Sequence, residues 1–573
     1  MMHLALKSKL DEPFSPRPRV WFGSHIWVVA LVTLAALALG IRVWGLAFGL
    51  PYRYHIDETF YVAGALRMAS NRFNLPIITH GPNLFYMLLL AEDVAYFVVM
   101  RLMGVVGSVA AFEQLYRNDP TVFVLLARLT SAIAGVLTLV PTYLIGKRLH
   151  GRTVGFAAAV LLAFNFQHVR ESHYGTPDVF VGLLVTSCLL MCITVMQTGR
   201  MRSYVLCGIL AGLATGTKFT SVLVCLPIGI AHGVVAWRES DGKLRNAGRR
   251  MLSGRLFAVV LSFGLAFAIA YPNVVLRPAA FLEYVRFLID VGKTGFITQF
   301  RIDSAPAWLY YLHSLSWGMG WILLSFLGLG LIVITLRRQT GDLLVLSFIA
   351  IYLAFLSRSP YYASRYLVPF LPGLCVFAAA GIHWLAGWRR RQWNTSVAVI
   401  YGLIISLAIL QPLASAIRHD YLLTQKDTRT IAKDWIETNI PAGTKVAVDW
   451  QKHAPPLRTM ADAFPPGDVP YDVMEAGGIG LPCYSLDEYK DANVSYLVMS
   501  SFIDDLMLSS PADSEAKRLF HKALDDSCEL VYEVKPYSGR NKPPFVFDQI
   551  FGPVTSLWRF ERPGPTIKVY KVR

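Results

Sequence analysis

Charge is scarce in this sequence. Asp, Glu, Lys and Arg make up 16% of the 573 residues, against about 25% in a typical soluble domain. So little charge cannot cover a globule of this size, which argues against an ordinary cytosolic enzyme. Cysteine is scarce as well, with seven residues. Cys188, Cys192, Cys207, Cys225 and Cys375 lie in apolar runs and read as small hydrophobes. Cys188 and Cys192 are one helical turn apart, which is packing rather than a zinc site. Only Cys483 and Cys528 lie in polar sequence, where a single disulfide could form. No HExxH, CxxC or Walker pattern is present. Nor is there a repeat of 20–50 residues, a low-complexity tract or a nucleic-acid motif.

Hydrophobic residues, in contrast, make up 54% of the chain. A polar N-terminal segment, 1–24, carries Lys7, Lys9, Arg17 and Arg19. The apolar run from Ile26 to Leu50 is too long for a signal-peptide core and reads as an uncleaved first span. Further runs begin near Val122, Thr153, Val179, Tyr204, Phe219, Leu256, Trp308, Leu343, Tyr366 and Ser396. The expected architecture is therefore a polytopic α-helical membrane protein with about eleven spans over 25–417.

The net charge of +16, from 54 Lys+Arg against 38 Asp+Glu, fits cytoplasmic loops that obey the positive-inside rule. Basic clusters follow alternate spans: Lys147, Arg148 and Arg152; Arg200 and Arg202; Arg238 through Arg255; Arg337 and Arg338; Arg389, Arg390 and Arg391. All are cytoplasmic together with the N-terminus if the spans alternate, and the tail from 418 is then external. The apolar stretch from Leu84 to Met103 would break this scheme if it spanned. Glu92 and Asp93 in its middle would each cost roughly 2.5–3.5 kcal/mol. It reads instead as a helix along the external membrane surface, inside a long first external loop, 51–120.

The tail, 418–573, is a different kind of sequence. A helix is expected over Thr428–Asn439 after an Asp427 cap, and strands over Lys445–Val448, Val494–Met499, Leu530–Val534 and Thr566–Val572. This predicts a small extracytoplasmic α/β domain.

Three constellations could carry chemistry. Tyr54-His55-Ile56-Asp57-Glu58 follows the first span. Adjacent carboxylates there could act as a general base or bind a divalent cation, or simply cap a helix near Thr59. Arg170-Glu171-Ser172-His173-Tyr174-Gly175-Thr176-Pro177-Asp178 joins two apolar runs on the same side. His173 could be a ligand or a solvated span end, and Asp178 a site acid or an N-cap. Lys218, Arg358 and Arg365 are cations on the external side, where the positive-inside rule disfavours them. They could snorkel to headgroups or hold a phosphate. Their placement beside the acids tilts the reading towards an anionic ligand.

The order of these elements resembles a family. His55-Ile56-Asp57-Glu58, then Thr79-His80-Gly81-Pro82-Asn83-Leu84, Ala127-Arg128-Leu129-Thr130-Ser131, Glu171–Asp178, Gly212–Lys218 and Arg365-Tyr366-Leu367-Val368-Pro369 follow one another as in the GT-C-fold glycosyltransferases of the protein O-mannosyltransferase and aminoarabinose-transferase kind. The resemblance covers roughly Trp27 to Ala416. Gly81 departs from it, where the family usually has a second Pro after the His. The lack of a WWDxG motif argues against an oligosaccharyltransferase.

The resemblance implies a polyprenyl-phosphate sugar as donor and a protein, lipid or glycan hydroxyl as acceptor, with no nucleic acid involved. It implies Asp57 as general base. Lys218 and Arg365, with Arg358 behind them, would bind the donor phosphate. Glu58 and Asp178 would orient the acceptor or bind a metal (Mg or Mn, if one is needed), with His55, His80 and His173 as further polar site residues. Compact loops and the external tail favour a bacterial inner membrane over an endoplasmic reticulum. The competing readings are a multi-span transporter or flippase of an envelope glycolipid or sugar, and an envelope-interaction protein that uses its tail. The acids cluster at one face rather than at the midplane, and no inverted repeat is found, which counts against a carrier.

Overall fold

The computed structural model describes residues 24–70, 83–241, 243–294, 306–360, 362–393, 397–450, 452–457, 471–476, 480–507 and 511–573. All eleven apolar runs are helical in it. Seven described helices are long and apolar enough to cross a membrane: His25–Val43, Thr121–His150, Asp178–Thr198, Phe219–Arg238, Leu244–Ala270, Ser364–Gly387 and Val399–Asn439. An eighth forms if Ala307–Met319 and Trp321–Arg337, bent by 115°, count as one broken span. Gly320, at φ 80°, supplies the turn between those two halves. Helices 152–163, 201–217 and 340–356 are shorter.

The helices pack through small residues, as expected where lipid gives no hydrophobic drive between them. Gly208, Gly212 and Gly216 recur every fourth residue on helix Met201–Thr217. A Cβ at any of them would collide with helix Gly254–Ala270, at Ser262 and Val259, at Phe263, and at Ala270 respectively. This stripe ends at Thr217, so it fixes where Lys218 emerges.

Helix Leu84–Leu102 packs on helices Ile56–Ser70 and Thr121–Leu137. Its two acids differ in setting. Thr130 Oγ1 donates to Glu92, and Asp93 is buried, which pushes its carboxyl up to about 8.

The chain's last third forms a five-stranded sheet in the order β2-β1-β3-β5-β4. The strands are β1 Lys445–Val448, β2 Asp472–Glu475, β3 Tyr496–Ser500, β4 Cys528–Val534 and β5 Ile567–Val572. β1 pairs parallel with β2 and β3, and β5 pairs antiparallel with β3 and β4. Helix Thr428–Asn439 is capped by Asp427, which accepts from Arg429 N–H. Two apolar clusters, around Leu497 and Val498, flank the sheet. Four of the five strands and the cap follow the sequence pattern; the four-residue β2 was not expected. Cys483 is exposed and Cys528 buried, and the disulfide that polar sequence allowed does not join them.

Candidate active site

Helix Ile56–Ser70 places Asp57 and Glu58 in its first turn, where the helix dipole favours acids. The two carboxylates part ways. Glu58 is fully buried and accepts from Arg128 Nε and Nη2, both at 2.8 Å, and from Gly175 N–H at 2.8 Å. Arg128 completes the joint with Leu46 O at 2.6 Å and Phe48 O at 2.9 Å, its guanidinium 3.8 Å from the Phe48 ring centre. Arg128 pulls the Glu58 carboxyl down against the opposing effect of burial. Four segments thus meet on one bidentate pair: the end of the first span, the first-loop helix, span Thr121–His150 and the 171–178 segment.

Asp57 faces the other way. Its side chain keeps 19% of its exposure and accepts from Arg365 Nη1. Arg365 enters on the 3₁₀ turn Ser364–Phe370. Beside it, Lys218 Nζ donates to Asp178 Oδ1 at 2.5 Å and stays 22% exposed. Asp178 opens helix Asp178–Thr198 but does not cap it, since Pro177 holds the cap position and the carboxylate is turned to Lys218. Tyr366 lies between the two pairs, with Lys218 Nζ 4.3 Å and the Arg365 guanidinium 5.7 Å from its ring centre. Tyr61 feels three of the four charges: burial, then Tyr86, Asp178 and Asp57, push its hydroxyl well up, and Arg365 opposes. Asp57, Asp178, Lys218 and Arg365 therefore form one cluster of two accessible ion pairs.

The other expected residues are placed elsewhere. Arg358 is exposed, and among the described residues it makes no ion pair with Asp57 or Asp178. His80 lies outside the described residues. His55 is buried, its Nδ1 accepting from Glu58 N–H at 3.4 Å, its ring 4.4 Å from Tyr174 and 5.5 Å from Phe551. Burial holds it down to about 4, so it is a neutral helix cap at neutral pH. His173 is buried and turned to Trp44, Val169 and Asp420 rather than to Asp57. Glu58 is occupied by Arg128, and Asp57 and Asp178 each carry a basic partner. Glu58 is thus committed to Arg128, and Asp57 or Asp178 could turn to a Mg or Mn ion only by giving up Arg365 or Lys218.

The sequence reading missed a contribution from the tail. Lys452 Nζ donates to Ile56 O at 3.2 Å, next to Asp57, and lies 3.7 Å from the Phe60 ring centre. Burial pulls its ammonium down to about 8, against the attraction of Asp57. Phe551 covers Arg365, whose guanidinium is 4.5 Å from its ring centre. The stretch 547–553 is held by Arg170, which donates to Asp548 O at 2.8 Å, Gly552 O at 3.2 Å and Pro553 O at 3.1 Å. Asp548 in turn accepts from Ser364 N–H at 3.0 Å and Ser364 Oγ at 2.6 Å. Arg128 could have been flagged as a cation inside an apolar run. Lys452 and Phe551 carry no such signal.

Residues 124–247 match the family model described as dolichyl-phosphate-mannose-protein mannosyltransferase. This stretch contains Arg128, Asp178 and Lys218 but neither Asp57 nor Arg365. No curated protein matches the chain. Among solved structures it is similar to the oligosaccharyltransferase AglB from Archaeoglobus fulgidus, in complex with an inhibitory peptide and a dolichol-phosphate. That likeness has a TM-score of 0.52 and 12% identity, over 96% of this chain and 89% of that one. The same archaeal enzyme tethered to an acceptor peptide containing the NVT sequon gives 0.51 and 12%, over 96% and 89%. ArnT from Cupriavidus metallidurans bound to undecaprenyl phosphate gives 0.50 and 13%, over 96% and 98%. The chain is an integral membrane protein with the GT-C fold of these glycosyltransferases.

Proposed function

We propose that the protein transfers a sugar from a polyprenyl-phosphate carrier to an acceptor hydroxyl on the external face of a bacterial inner membrane. The N-terminus would be cytoplasmic, all eleven apolar helices would lie in the membrane, and the tail would form an external α/β domain. The similar ArnT and AglB structures hold a polyprenyl phosphate and a dolichol phosphate, and the cation pair here suits the same phosphate chemistry. The observation that carries the reading is the pairing of Asp57 with Arg365 beside that of Asp178 with Lys218.

The chemistry follows from these pairs. Asp57 takes the proton of the acceptor hydroxyl as its oxygen bonds to the anomeric carbon. The bond from that carbon to the phosphate oxygen breaks on the opposite face, and the polyprenyl phosphate leaves with the electron pair. The phosphate is a stable anion and needs no general acid, but it needs positive charge. Arg365 and Lys218 supply it. At rest each is paired with a carboxylate. An arriving lipid phosphate competes for the Arg365 fork, and that competition frees Asp57 to act as base. Glu58 positions Asp57 through the Arg128 joint. No step runs through a divalent cation.

A carrier would share the helices but would not need a base beside a phosphate site. The lack of a WWDxG motif separates this chain from an oligosaccharyltransferase in spite of the shared fold. The test is transfer from a polyprenyl-phosphate sugar pool in membranes by wild type and Asp57→Asn. Loss of transfer in a folded Asp57→Asn protein supports the reading. Undiminished transfer overturns it.

A further inference from the structure

Three buried side chains outside the proposed catalytic cluster converge where the first span, the 171–178 segment and the last long helix meet. His173, His419 and Asp420 are all fully buried, and one ligand atom from each lies within 4.8 Å of the others. His419 Nδ1 is 3.0 Å and His173 Nε2 is 3.3 Å from Asp420 Oδ1. The Trp44 carbonyl oxygen is 3.1 Å from His173 Nε2.

With Asp420 ionised, the protonation pattern of this cluster does not close by hydrogen bonds alone. A neutral imidazole has a single N–H. His173 faces acceptors at both nitrogens: Val169 O at 2.9 Å on Nδ1, and Trp44 O and Asp420 on Nε2. Asp420 Oδ2 is buried with no hydrogen-bond partner among the described residues. The charge of Arg42 acts on Asp420, but its fork goes to Ala38 O, Ala163 O, Ser172 Oγ and His168 Nδ1. An unpaired buried carboxylate is costly, and a buried charge is normally paired or on a metal.

The geometry points to a structural zinc site formed by His173 Nε2, His419 Nδ1, Asp420 and the Trp44 carbonyl. A tetrahedral ion with bonds of about 2.0–2.1 Å sets its ligand atoms about 3.3 Å apart, close to the three separations of 3.0, 3.1 and 3.3 Å given above. Two imidazoles with oxygen donors suit zinc among the common divalent ions. The outer nitrogens also fit. His173 Nδ1–H donates to Val169 O, and His419 Nε2–H points at the Tyr174 hydroxyl at 3.4 Å. Metal-bound histidines orient their rings in this way. Four protein ligands leave no open position, which makes the ion a fastener rather than a catalyst. It would pin His173 two residues before Gly175, whose N–H holds Glu58.

The test is elemental analysis of the full chain purified in detergent without chelators. The expected content is roughly one zinc per chain, lost in His419→Gln and Asp420→Asn. Replacement by cobalt should give the visible spectrum of a tetrahedral site without a thiolate charge-transfer band. A thiolate band would move the metal to Cys188, Cys192 and Cys207 and overturn the proposal. So would wild-type protein that neither carries zinc nor takes up cobalt, or full zinc content in a folded His419→Gln protein. If the variants do not fold, the cobalt spectrum of the wild type and the effect of a chelator on its unfolding temperature decide. No shift with chelator counts against the site.

Discussion

Asp57 and Arg365 are 308 positions apart in the chain and form an ion pair at the accessible side of the first-loop helix. The pair leaves the Asp57 carboxylate partly exposed. It also places a residue suited to take a proton against one suited to hold a phosphate. The general-base role predicts that Asp57→Asn lowers transfer by about 10²–10⁴-fold, with an unchanged unfolding temperature. Initial-rate measurement on matched amounts of folded protein checks it.

Glu58 behaves differently although it is the next residue. Removing its partner leaves a buried carboxylate uncompensated, so Arg128→Met should destabilise the protein by roughly 3–5 kcal/mol. Arg128→Lys should rescue little, because an ammonium cannot reproduce a two-point contact and also serve two carbonyls. Thermal unfolding in detergent distinguishes this from a purely catalytic loss.

The tail's hold on the site can be tested at one glycine. Gly552 has φ 147°, and a Cβ there would overlap the Tyr174 hydroxyl. Gly552→Ala should displace the 547–553 stretch and with it Phe551. Transfer should fall while donor lipid still co-purifies, because Lys218 and Arg365 remain. Parallel assays of lipid content and transfer check both halves.

The same contact should respond to pH. Burial raises Asp548 to about 7 in the folded protein, above its ordinary value. A raised folded value means the native state binds the proton more tightly than the unfolded chain. The stabilising contribution is complete at acid pH below the unfolded value and is lost as pH rises through about 7. Asp449, also buried and raised to about 7, acts in the same direction. Asp548→Asn should flatten part of this dependence, read as unfolding temperature against pH from 5 to 9.

What the sequence made legible was whatever is local. Apolar length is a property of one segment, so each of the eleven runs coincides with a helix. The cost of Glu92 and Asp93 marked Leu84–Leu102 as different for the same reason. Asp427 and the strand pattern announced the tail's first helix and four strands, whereas β2 is four residues long and too short to show a period. Asp57, Asp178, Lys218 and Arg365 stood out because acids and cations share one external side, where the positive-inside rule disfavours the cations. The roles were less so. Glu58 looks like Asp57 in sequence, and only the fold turns one inward to Arg128 and the other outward to Arg365. His55 became a cap by burial. Lys452 and Phe551 reach the site across nearly 400 and 500 residues, and no local pattern encodes such a contact.

The most direct measurement of the central claim is mass spectrometry of lipid that co-purifies with the detergent-solubilised protein, compared with Lys218→Ala and Arg365→Ala. The account predicts a polyprenyl phosphate, or its sugar conjugate, with wild type and its loss in both variants. Bulk phospholipid alone, unchanged by either substitution, would contradict it.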